Sequence, residues 1–82
     1  MDFKVGQVVL SLAGHDKGEL LVVAGTENKK VLICDGKGRG LQNPKHKNPK
    51  HLEPQSAVLD GDSMATNRKI RKTLNKLIAQ EG

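Results

Sequence analysis

The spacing of hydrophobic positions changes once along the chain. Val8, Leu10 and Leu12 alternate with Val9 and Ser11, the two-residue period of a half-buried strand. Leu20 to Ala24 and Val31 to Cys34 are further apolar runs, aliphatic and too short for helices. Polar turns separate them: Gly14-His15-Asp16-Lys17-Gly18, bracketed by glycines, and then Gly25 to Lys29. Three short strands joined by tight turns form a meander, and meanders this small curl into a barrel to remove their edges. Val8, Leu10, Leu20, Val22, Val31 and Ile33 are its expected core. His51-Leu52-Glu53-Pro54 reads as the last strand, closed by Pro54, and Gln55 to Asp62 as the start of a linker. Beyond it, Ile70, Leu74, Leu77 and Ile78 stand at helical spacing, predicting a helix over about residues 67–80 with Thr66 as N-cap. A helix this short is marginal alone, so its apolar stripe must dock on the barrel or on a partner. The expectation is a mainly β chain: a small barrel over 1–54, a linker over 55–65 and a C-terminal α-helix over 66–82.

Composition narrows the class. Eighty-two residues make one domain near the lower size limit for a self-supporting core. No apolar run approaches the roughly 18–20 residues of a membrane helix. The N-terminus, with Asp2 and Lys4, does not read as a signal peptide. The single cysteine, Cys34, can form no internal disulfide and offers no Cys-x-x-Cys spacing. Together these predict a soluble, cytoplasmic protein. The charge is unevenly placed: net −1 over residues 1–35, +5 over 36–52 with no acid, −3 over 53–62 and +4 over 63–82. Blocks of one sign repel themselves, and the basic ones point to an anionic partner or to solvated surface.

The densest basic block contains one phrase twice, Asn-Pro-Lys-His, within Asn43 to Pro54. His46 and His51 could be metal ligands, part of a catalytic site, or additions to a cationic loop. Zinc wants four N, S or O ligands, and the neighbouring lysines would repel a cation, so no metal or other cofactor is expected. No Ser or Cys nucleophile stands beside a His-and-acid arrangement, and DGKGRG over Asp35 to Gly40 lacks the Gly-Lys-Ser/Thr ending of a phosphate-binding P-loop. The chain does not read as an enzyme. The prolines stiffen the segment into a cationic loop, with Lys45, Lys47 and Lys50 at exposed positions.

Val5 to Gly36, VGQVVLSLAGHDKGELLVVAGTENKKVLICDG, resembles a KOW motif, with Gly18 in the place of its hallmark glycine. NPKHLEP, Asn48 to Pro54, resembles the end of the KOW barrel in small large-subunit ribosomal proteins of archaea and eukaryotes. The resemblance spans residues 4–54. It implies an SH3-like barrel of about five strands that binds RNA, or ribosomal and transcription proteins. The chain departs from the family in lacking a dense arginine run after the third strand, where only Lys37 and Arg39 stand. The basic helix is not part of the KOW signature.

The RNA reading assigns phosphate contacts to Lys17, Lys37, Arg39, Lys45, Lys47 and Lys50, with His46 and His51 as additional donors. Arg68, Lys69, Arg71 and Lys72 offer a second grip on the helix. Arg68 and Lys69 sit in the first turn, where the helix dipole disfavours cations by about 0.3–1 kcal/mol each, so helix stability does not explain them. The one aromatic, Phe3, is expected in the core, which argues against base stacking and for recognition of structured RNA, ribosomal foremost, through phosphates and 2′-hydroxyls. The competing expectation is a protein-interaction module that docks on a transcription or ribosomal protein through the helix stripe. No membrane partner and no small-molecule substrate are expected.

Overall fold

The computed structural model describes residues 3–81. Strands β1 (Gln7–Ser11), β2 (Leu20–Glu27), β3 (Lys30–Cys34), β4 (Lys45–Lys47) and β5 (Leu52–Val58) precede helix α1 (Asn67–Glu81). They form one antiparallel sheet in the order β4-β3-β2-β1-β5. The meander is therefore β1 to β4, and the fifth strand returns to pair with the first. Register slips between Val23 and Gly25 and between Gln7 and Val9 mark bulges in β2 and β5. Extra residues of this kind bend a strand and increase its twist, which curls the small sheet into a barrel-like shape.

Both faces of the sheet are buried, against the half-buried strands that alternation predicts. One face closes on itself around Val9, Leu21, Val23, Val31, Ile33 and Leu52. On the other, Val8, Val22 and Cys34 pack against Leu59, Ile70 and Leu74. Helix α1 thus supplies the second layer, with Ile70 and Leu74 fully buried. Each such side chain contributes about 1.5–3 kcal/mol, enough to hold a helix that is marginal alone. Of the expected core, Val8, Val22, Val31 and Ile33 are buried, while the cross-strand pair Leu10 and Leu20 is only half-buried. That pair shares a surface hollow with Ile78, itself 48% exposed, at the margin of the helix contact.

The last strand does not end at Pro54. It continues to Val58, so Gln55 to Val58 belong to the sheet rather than to a linker, and Leu59 beyond them is buried. β5 pairs only with β1 at the sheet edge, where proline's missing N–H is tolerated and a polar sequence suffices. The connection to α1 is a series of turns in which Asp60 accepts from the Ser63 N–H at 2.8 Å. Thr66 caps the helix as expected, its hydroxyl accepting from the Lys69 N–H at 3.2 Å.

Two backbone positions shape the surface. A side chain on Gly36, at φ +76, would collide with the Asn67 carbonyl, so glycine lets the β3–β4 loop lie directly on the helix. At the β2–β3 turn Asn28 (φ 49) and Lys29 (φ 64) both adopt left-handed backbone. Two-residue hairpin turns require that conformation and favour Asn-Gly. Lysine in the second place costs on the order of 1 kcal/mol relative to glycine.

Candidate nucleic-acid interface

Strand β4 is joined to the β1–β2 loop by a partly buried polar cluster. The Lys47 ammonium donates to Asp16 at 2.6 Å and to the Ala13 carbonyl at 2.7 Å, and the Ser11 hydroxyl donates to the same Asp16 oxygen at 2.7 Å. Lys47 is 6% exposed and the Asp16 side chain 13%. Burial alone would raise the Asp16 pKa. Hydrogen bonds from Lys47 and Ser11, with the charges of Lys47 and Lys45, outweigh it and hold the carboxyl below its ordinary range. Lys47 is therefore a barrel-closing residue and not a surface cation, a correction to its reading as an exposed loop position for phosphate. Lys45 is drawn toward the same carboxylate, at 3.7 Å, and stays about one-third exposed.

The repeated Asn-Pro-Lys-His is not one stiffened loop. In the first copy Lys45 and His46 lie on β4, where His46 pairs in register with Leu32 and stands 3.9 Å from Glu27. In the second copy Asn48 caps a short 3-10 turn, Pro49–His51, its side chain accepting from the Lys50 N–H at 2.9 Å. The first copy has an open edge of β3 to pair with. The second has Pro49 at the first turn position, where no N–H is needed. Lys50 and His51 are exposed on that turn, and the His51 carbonyl accepts from the Leu12 N–H at 2.8 Å, tying the turn to the β1–β2 loop that carries exposed Lys17.

The basic stretch after β3 is ordered rather than flexible. The Asp35 carboxylate accepts from the Lys37 and Arg39 N–H groups at 2.8 and 2.9 Å, while the Arg39 carbonyl accepts from the Asp35 and Gly36 N–H groups. Lys37 and Arg39 are both exposed. Asn67 clamps the same loop to the helix, accepting from the Leu41 N–H at 2.7 Å and donating to Gln42 at 2.9 Å. Lys37 and half-buried Arg71 consequently line one hollow of about 300 Å³, together with Leu10, Leu20 and Ile78. Lys69 and Lys72 line another with Lys76, and Lys69 is bonded to Asp62 at 2.9 Å. The first-turn cation thus has a partner within the chain, although both groups are exposed and the pair contributes little. Arg68 is exposed.

Phe3 is only half-buried. It leans on the edge of the interior cluster and lines a hollow of about 440 Å³ at the β2–β3 turn. Among the described residues no three His, Cys, Asp or Glu side chains stand together as a metal site would require, and no helix is long and apolar enough to cross a membrane. No family model matches the chain. Asp16, Asn67 and Asp35 position the loops; only Asp35 carries a sequence signal for that role, since an Asp before Gly favours a turn closed by its own side chain. Asp16 and Lys47 meet across 31 positions, and lysine is so rarely buried that its inward place in the Lys-His-Lys alternation could not be read.

Proposed function

We propose that the chain is a non-catalytic RNA-binding protein of KOW type that associates with ribosomal RNA in the cytoplasm and holds structured RNA by its phosphates. The observation that carries this is the fixed backbone beneath exposed cations in an acid-free block: Asp35 holds the turn bearing Lys37 and Arg39, and Asn48 the turn bearing Lys50. Preorganised cations bind phosphate without the ordering cost of a flexible tail. In this reading Lys17, Lys45, His46 and His51, with the helix cations Arg68, Arg71 and Lys72, supply further phosphate contacts. A protein-docking role has one observation in its favour, the half-exposed Leu10, Leu20 and Ile78. Half of the helix stripe it needs is committed inside, since Ile70 and Leu74 are fully buried. Sedimentation of cell extract before and after ribonuclease, with detection of this protein, tests the RNA reading. Migration with ribosomal particles that ribonuclease abolishes supports it, and presence only in the top fractions counts against it.

A further inference from the structure

The β2–β3 turn combines three features that the phosphate-binding surface does not use. The only aromatic side chain, Phe3, stands half-exposed there and, with Pro49, lines a hollow of about 440 Å³. That volume falls within the roughly 300–1,000 Å³ of small-ligand sites. Lys29 and Lys30 rim it, both exposed and, among the described residues, without an ion-pair partner. Lys29 also holds a left-handed backbone conformation, φ 64, that glycine would adopt without strain. Strain retained where a simpler residue would relieve it points to a use for that side chain.

We propose that this hollow is a nucleotide subsite, in which an unstacked base, guanine foremost, lies on Phe3 while Lys29 and Lys30 hold its phosphate. An aromatic face beside two ammonium groups matches the two halves of a nucleotide. Glu27, the cross-strand partner of Lys30, is the one carboxylate lining the hollow and the acceptor it offers to a base edge. Guanine is the base that presents two adjacent donors, N1–H and N2–H2, which one carboxylate accepts together. The subsite deepens the RNA reading and rests on it for the source of the base: a nucleotide extruded from otherwise structured RNA, bound beside its helical phosphates. A free mononucleotide has the same chemistry.

The test uses the full chain. With one Phe and no Tyr or Trp, the Phe3 ring protons form a distinct aromatic set in an NMR spectrum. Adding GMP is expected to shift them upfield by the base's ring current, more weakly with UMP, whereas inorganic phosphate perturbs the Lys29 and Lys30 amides and leaves the ring unmoved. An RNA hairpin with one extrahelical guanosine is expected to bind more tightly than its fully paired counterpart, and Phe3→Leu to erase that advantage, between roughly 5- and 150-fold for one base–aromatic stack. Because Phe3→Leu touches the core edge, Lys29→Gly is the second variant: it is expected to raise the melting temperature yet weaken binding of GMP and of the extrahelical hairpin several-fold. A ring set unmoved by millimolar GMP with both hairpins bound equally, or a Lys29→Gly chain that binds as the native one does, overturns the subsite. If paired-hairpin binding still depends on Lys37, Arg39 and Lys50 in that case, the broader RNA reading survives. Ring shifts with GMP alongside no salt-sensitive hairpin binding leave a free-nucleotide site and sink the RNA reading instead.

Discussion

Replacing Lys47 by methionine removes the ammonium that closes the barrel and leaves its stem volume largely filled. The Asp16 carboxylate and the Ala13 carbonyl are then left to share the one Ser11 hydroxyl, at 2.7 and 3.0 Å, with Lys45 more distant. Removing one member of a buried ion pair costs about 3–5 kcal/mol. Asp16 retains some exposure, 13%, and Lys45 remains 3.7 Å away, so a loss of about 2–4 kcal/mol is the working figure. An 82-residue domain holds a total of about 4–12 kcal/mol, and a loss of this size lowers the melting temperature by on the order of 10–30 °C. The assay is urea unfolding followed by far-ultraviolet circular dichroism, because the chain has no tryptophan or tyrosine to report by fluorescence. Lys50→Gln, at an exposed turn, is the control and should change stability by less than about 0.5 kcal/mol. Adding Asp16→Asn to Lys47→Met should restore part of the loss, since a neutral amide still serves the Ser11 hydroxyl without a buried charge. A Lys47→Met chain as stable as the Lys50→Gln control would refute the view of Lys47 as a structural residue.

The Asp16 carboxyl, held below its ordinary 3.8 in the folded chain, contributes stability that is complete above that value and lost as pH falls through its lower folded pKa. Acid titration of Asp16→Asn should therefore show a shallower decline below about pH 4 than the native chain, and parallel curves would contradict this. The Cys34 thiol is pushed up to about 11, by burial first and by neighbouring Asp35 second, leaving about one thiol in a thousand ionised at pH 8. Labelling with a thiol reagent at that pH should be slower by at least about 100-fold than in the urea-unfolded chain. Leu74→Ala should cost about 2–5 kcal/mol and release the helix, seen as a loss of helical dichroism beyond that of a surface substitution such as Lys76→Ala.

The helix was legible because its signals agree: a stripe of four aliphatics, a threonine cap and a change of period. The first three strands were legible from apolar runs between glycine-bounded turns. What alternation could not reveal was that the sheet buries both faces, because the second layer comes from α1, remote in sequence, and adjacent Val8 and Val9 serve different cores. Gln55 to Val58 looked like a linker since an edge strand needs backbone pairing more than apolar side chains. The site was legible in its charge and not in its geometry. The acid-free block singled out as candidates Lys37, Arg39 and Lys50, which are exposed, but it also counted Lys47, which is buried against an aspartate across the barrel. The doubled Asn-Pro-Lys-His suggested one structure, and its copies became strand and 3-10 turn because only one had a neighbouring strand edge to join. Phe3, assigned to the core by its type, is held at the margin.

Phosphate recognition by exposed cations on fixed turns carries a direct signature in the salt dependence of binding. The affinity of the full chain for a structured ribosomal RNA fragment should be followed across a range of monovalent salt, for the native chain and for Lys37→Gln/Arg39→Gln/Lys50→Gln together. Each phosphate contact contributes a log–log slope of roughly −0.7 to −0.9, so the triple variant should bind more weakly with a slope flatter by about 2–3, while its urea midpoint stays that of the native chain. A native slope near zero, or an unchanged slope in the folded triple variant, would contradict the claim.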